Sequence, residues 1–177
     1  MGTEKIVGWL PLLRLRRQWR WDRKTIVWTN GCFDLLHVGH IRSLCAAKLL
    51  GDVLVVGVNS DDSVRRLKGA DRPVIPARER VEILAALQCV DYVVEFDDLT
   101  PERVLSRLRP DVHCKGADYA PPNGKPIPEA DVVRAYGGRI EFLALHGARS
   151  TSSLIRSIRS VSGKGRQLPG KGTRARG

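Results

Sequence analysis

No two of the four cysteines, at positions 32, 45, 89 and 114, stand close enough to form a CxxC pair. A disulfide framework is therefore not expected, and a reducing compartment is. The sequence also lacks a run of 18 apolar residues and a secretory leader, so it predicts a cytoplasmic protein with no membrane span. Acids are missing altogether from residues 161–177, where almost nothing is apolar either, and this stretch is expected to be a disordered basic tail. Even the net charge of +11 is absent from the middle of the chain. Residues 1–24 carry seven Lys and Arg against two acids and residues 161–177 five against none, which leaves 18 basic and 17 acidic side chains in the central 136 residues. A nearly neutral body argues against nucleic acid as its partner.

A length of 177 residues suits one domain with appendages. Along the body, apolar runs alternate with amphipathic ones. Strands are expected at 25–29, 53–58, 92–96, 112–115 and 140–145, and helices at 41–50, 76–87, 101–108 and 129–136, with a helix-capping cluster at 59–62. The run 53–58 is apolar without alternation, as in a parallel strand covered on both faces. This order predicts an α/β fold, a Rossmann-like doubly wound parallel sheet in a single domain spanning 25–160, whose ligands bind beyond the carboxyl ends of the strands. Ahead of it, 11–23 can form a basic amphipathic helix with Leu12, Leu15 and Trp19 on one stripe, packed on the domain.

The chemistry is concentrated in His37-Val38-Gly39-His40, eight residues after the first strand and at the opening of an apolar helix pattern. A helix N-terminus offers unpaired N–H groups and a positive dipole end, which suits phosphate. Two histidines three residues apart lie near one another there, and Gly39 leaves room for a phosphate to approach the backbone. The alternatives are core histidines or a pair of zinc ligands. Zinc needs a further ligand, and none of Cys32, Cys45, Cys89, Cys114, His113 and His146 stands at a convincing spacing. Cys32 as a nucleophile is a further alternative to a cysteine that fills a small apolar space. Lys68, Arg78 and Arg80 are candidate phosphate holders, against a solvated helix face for Arg78. Lys115 and Asp118 follow a predicted strand, either as ligand contacts or as a structural ion pair. Residues 150–153 read first as the N-cap of a last helix.

Taken together, Thr29-Asn30-Gly31-Cys32-Phe33-Asp34, the double-histidine signature, and Gly51-Asp52 leading into the strand at 53–58 with Asn59-Ser60-Asp61 resemble the cytidylyltransferase-like nucleotidyltransferases. Arg72-Pro73-Val74-Ile75-Pro76 with Glu79-Arg80, the run 90–94, Thr100-Pro101, Lys115-Gly116-Ala117-Asp118-Tyr119 and Arg149-Ser150-Thr151-Ser152-Ser153 are similar to the D-glycero-β-D-manno-heptose 1-phosphate adenylyltransferases. Ala117 departs from a second glycine and Ser152 from a threonine, and the proline-rich loop 121–128 alters the sugar side. The resemblance implies transfer of AMP from ATP to a heptose 1-phosphate, giving ADP-heptose and pyrophosphate. It implies His37, His40 and Lys68 as catalytic residues, and Asn30, Gly31, Cys32, Phe33, Gly39, Lys115, Arg149, Ser150, Thr151 and Ser152 on the nucleotide. Asp34, Asp61, Arg80, Gly116 and Asp118 would meet the sugar phosphate, with Arg80 as a two-pronged clamp and Asp34 orienting its loop or approaching the Mg2+ that accompanies ATP. No protein ligand to a metal is assigned. A separate sugar kinase and a homodimer are implied as well. The alternatives left open are a cytidylyltransferase acting on a small phospho-alcohol such as glycerol 3-phosphate, and a nucleic-acid-binding protein using the basic termini.

Overall fold

The computed structural model describes residues 2–144 and 151–164. Among them, strands β1 (Ile26–Gly31), β2 (Val53–Asn59), β3 (Tyr92–Phe96), β4 (Val112–Gly116) and β5 (Arg139–Leu143) form one parallel sheet in the order β3-β2-β1-β4-β5. The helices are α1 (Trp9–Trp21), α2 (Val38–Lys48), α3 (Asp61–Lys68), α4 (Ala77–Ala85), α5 (Glu102–Leu108), α6 (Ala130–Ala135) and α7 (Thr151–Lys164). The sheet starts at its centre with β1, builds outward through β2 and β3, then returns to add β4 and β5 on the other side. The crevice between β1 and β4 is thus the switch point where such sheets bind ligands.

Pairing explains where β1 ends. Its register with β2 runs from Ile26 opposite Val53 to Gly31 opposite Val58, so Asn30 and Gly31, beyond the expected end of the strand at 29, are held in it. Every residue of β2 is buried, matching its unbroken apolar run. One core holds Leu44, Val56 and Leu84 beneath α2 and α4; the other holds Leu12, Trp19, Trp28 and Leu105 beneath α1 and α5. Gly57 lets the second core close: a Cβ there would lie 2.4 Å from ring carbons of Trp28.

The N-terminal segment is part of this packing. Val7 N–H donates to the Val93 carbonyl at 2.9 Å beside an Ile6–Val93 bridge, which lays the segment along the outer edge of β3. Lys5 Nζ donates to the Leu87 and Val90 carbonyls at 3.0 and 2.7 Å. Arg16 is 7% exposed and donates to the Leu108 and Arg109 carbonyls at 2.9 and 2.6 Å, where α5 stops on Arg109 at φ 48°. These cations supply donors to carbonyls where α4 and α5 give way to the following strands.

Besides the end of β1, two boundaries that differ from the sequence expectation bear on the site and the tail. Helix α2 begins at Val38 and not at 41, because His37 itself caps it. Helix α7 continues to Lys164, past the expected start of the basic tail; residues 165–177 lie outside the described residues. No described helix is long and apolar enough to cross a membrane.

Candidate active site

The loop leaving β1 holds two non-glycine residues in the left-handed region, Phe33 at φ 49° and Leu35 at φ 53°. Each conformation costs of order 1 kcal/mol and persists only where neighbours enforce it. Asp34, between them, is 1% exposed and accepts hydrogen bonds from Arg72 Nε at 2.6 Å, Val74 N at 2.9 Å and Ile75 N at 3.0 Å. Burial alone would raise its carboxyl, but these donors hold it below the usual carboxylate range. Thr151 Oγ1 donates to the Asp34 carbonyl at 2.7 Å, which ties the start of α7 to the same loop.

His37 and His40 follow at the N-terminus of α2. Their rings stack with centroids 3.9 Å apart, and Phe33 meets His40 edge-on at 5.6 Å. His37 Nδ1 accepts Gly39 N–H at 3.1 Å, and His40 Nδ1 accepts His37 N–H at a longer 3.4 Å. An Nδ1 that accepts bears no proton, so each imidazole carries its hydrogen on Nε2 and presents it as a donor. Burial, reinforced by His37, lowers the His40 pKa to about 4, so this ring is neutral at neutral pH. The backbone therefore fixes the tautomers that an anion needs.

Across the crevice, alternation along β4 places His113 and Lys115 on one face of the strand. Both reach Glu129, the residue capping α6, at Oε1: His113 Nε2 at 3.0 Å and Lys115 Nζ at 2.7 Å. Burial would raise the Glu129 carboxyl, yet the hydrogen bonds from His113 and Lys115 bring it down to about 2. Lys115 Nζ also lies 4.3 Å from the centre of the Tyr119 ring, and Asp118 pairs with Lys125.

Asn30, Gly31, Cys32, Phe33, Asp34, His37, Gly39, His40, Lys68, Lys115, Gly116, Asp118 and Thr151 all line one cavity of about 790 Å³ at the switch point. This size falls in the usual range for small-molecule sites, about 300–1,000 Å³. Two expected sugar-phosphate contacts are not brought there. Arg80 is 1% exposed, and its guanidinium donates to the carbonyls of Ile75, Cys32 and Asn59 and to Asp61 Oδ1 at 2.9, 2.5, 2.8 and 2.7 Å. Asp61 accepts that bond and Ala77 N–H at 2.8 Å. The pair braces the loops behind the cavity instead of clamping a ligand. Asp34 lines the cavity with its carboxylate engaged, so it orients the loop. Arg78 is exposed beside Glu79 on the surface of α4. Burial pushes the Cys32 thiol up, which disfavours a thiolate nucleophile. Arg149 and Ser150 lie outside the described residues, as does the side chain of Ser152, whose backbone belongs to the first turn of α7.

Glu129 and Arg72 were missed as site residues. A signal for Glu129 existed in His113 and Lys115, two residues apart on a buried strand and therefore needing an acid on the same face. No group of three His, Cys, Asp or Glu able to hold a metal occurs among the described residues. The carboxylates of Asp34 and Glu129 are already committed to N–H donors.

The cytidylyltransferase-like family model matches residues 28–157. Bifunctional protein HldE of Syntrophotalea carbinolica is 54% identical over 135 residues, covering 76% of this chain and 27% of the relative. The HldE protein of Streptomyces coelicolor is 48% identical over 158 residues, covering 87% of this chain and 34% of the relative. The chain thus spans about a quarter to a third of the length of these relatives. Among solved structures, the lipopolysaccharide core biosynthesis protein of Thermoplasma volcanium matches with a TM-score of 0.56 and 26% identity over 71% of this chain and 99% of that one. Pantoate-beta-alanine ligase of Francisella tularensis, 14% identical at a TM-score of 0.55 over 83% of this chain and 68% of that one, shares the fold. With the histidine-capped helix at the switch point of its parallel sheet, the chain belongs to the cytidylyltransferase-like family.

Proposed function

We propose that this chain is a nucleotidyltransferase that transfers AMP from ATP to D-glycero-D-manno-heptose 1-phosphate, giving ADP-heptose and pyrophosphate. The observation that carries it is the pair of stacked imidazoles whose Nδ1 atoms are held by backbone N–H groups, leaving two Nε2–H donors at a helix N-terminus in the cavity. The high identity to proteins named HldE, and the resemblance of the motifs around Lys115 and Thr151, support adenylyl transfer to a heptose phosphate.

In this reaction a phosphate oxygen of the sugar 1-phosphate attacks the α-phosphorus of ATP as the bond to the β-phosphate oxygen breaks. The nucleophile is already anionic near neutral pH, so no general base is required and catalysis rests on positioning and charge neutralisation. His37 and His40 donate to the oxygens on which charge builds as pyrophosphate leaves, and Lys68 and Lys115 add positive charge. Magnesium accompanying ATP would be carried mainly by the substrate's own phosphates, and no described side chain is assigned to it, because the Asp34 and Glu129 carboxylates already accept hydrogen bonds. A separate sugar kinase is proposed to act in the same pathway. A reducing, cytoplasmic setting is supported by the four free cysteines, and light scattering checks the proposed homodimer.

The test is pyrophosphate release with ATP or CTP, each against heptose 1-phosphate and glycerol 3-phosphate, with magnesium. Turnover is expected with ATP and heptose 1-phosphate. Turnover of CTP with glycerol 3-phosphate and not of this pair would overturn the assignment.

A further inference from the structure

We propose that Glu129 is the positioning residue for Lys115, with His113 as its buried anchor, and that this arrangement fixes the ammonium where the nucleotide's phosphates lie. The proposal rests on the nucleotidyl-transfer reading above. A carboxylate in the wall of an anion site is unfavourable unless it is neutralised and has a task, and here both conditions hold. Glu129 is 1% exposed and accepts from His113 and Lys115 at a single oxygen, at 3.0 and 2.7 Å. A carboxylate only accepts, so His113 carries its proton on Nε2 and points it at Glu129. His113 is wholly buried, and burial holds its pKa below the ordinary value, so it acts as a neutral donor that fixes Glu129 without adding charge.

Lys115 needs such a support. A lysine is a point charge on a flexible four-carbon stem with three donors, unlike the pre-organised fork of arginine. One donor is taken by Glu129, and the Tyr119 ring lies 4.3 Å from the ammonium. What remains of its hydrogen-bonding capacity is available to a ligand in the cavity that Lys115 and Glu129 both line. Glu129 arrives from a different element, at the start of α6, so the position of the ammonium depends on how the segment between β4 and α6 is held.

The experiment is a double-mutant cycle with Glu129→Gln, Lys115→Ala and the double variant, reading the dissociation constant of MgATP by calorimetry alongside thermal melting. Glu129→Asp, which keeps the charge and withdraws it by one methylene, runs in parallel so that the cycle survives if Glu129→Gln does not fold. Lys115→Ala is expected to weaken MgATP binding about tenfold or more, the scale of a charge-assisted hydrogen bond. Glu129→Gln and Glu129→Asp should weaken it severalfold in the parent protein and less than twofold once Lys115 is alanine. Equal losses in both backgrounds would assign Glu129 to the fold and overturn the proposal while leaving the nucleotide reading intact. Absence of MgATP binding by the unaltered protein would overturn both.

Discussion

Arg80 carries the clearest lesson at the scale of single residues. Its position in an arginine-containing motif suggested a phosphate clamp, yet four acceptors from three separate segments take its donors. Nothing local in a sequence distinguishes an arginine facing a ligand from one feeding carbonyls far away in the chain. The histidine pair was legible because its geometry is local: capping and tautomer are set within four residues. Arg80→Met should therefore lower thermal stability by about 3 kcal/mol, the scale for breaking a buried ion pair and stranding its partners. An unchanged melting temperature with a raised KM for the sugar phosphate would restore the clamp. His40→Ala should lower kcat by about 100-fold or more with an unchanged circular dichroism spectrum, because a donor to the transition state is lost. Acidification tests the same ring. Its folded pKa of about 4 lies below the ordinary 6.5, so the unfolded chain binds more protons between these values. That part of stability is intact above 6.5 and is lost as pH falls through about 4, with His113 acting in the same direction. Melting temperatures measured from pH 7.5 to 4 should fall, and less steeply in His40→Ala.

Among the elements, β1 and α2 form the unit on which the site depends. The alternation of apolar and amphipathic runs was enough to recover both, but not the exact passage between them. Pairing of Asn30 and Gly31 with β2 lengthens the strand, and capping by His37 starts the helix early. Both effects tighten a connection that hydrophobic periodicity alone makes too long. The strand order was expected only as a doubly wound type; which strands border β1 is decided by long-range pairing, which a single sequence does not display. Between β2 and β1 there is no room for a side chain at Gly57, where a Cβ would lie 2.4 Å from the Trp28 ring. Gly57→Ala should destabilise the protein by about 3 kcal/mol, toward the upper range for overpacked cores, because Trp28 is itself fully buried. Chemical denaturation reads this as a lower midpoint with an unchanged slope.

For the whole molecule, the two basic ends that dominate the net charge divide into different roles. The leading segment places Leu12 and Trp19 in the core and uses Lys5 and Arg16 on buried carbonyls, so composition described its charge but not where that charge goes. Removing residues 165–177 should leave kcat and melting temperature unchanged while reducing salt-sensitive attraction to polyanions. A marked rise in KM for ATP after that truncation would count against this division. Removing residues 1–24, in contrast, should abolish cooperative melting. The same leading segment also governs how molecules meet one another. A parallel sheet presents a row of unpaired N–H and C=O groups at each border, an open template for another chain. At β5 the charged, exposed pair of Arg139 and Glu141 makes that border inhospitable to a neighbour. At β3, Ile6 and Val7 already occupy the pairing positions beside Val93. Fraying of those first few residues would expose a sticky border on an otherwise folded protein, making its colloidal behaviour depend on a stretch far from the crevice at the switch point.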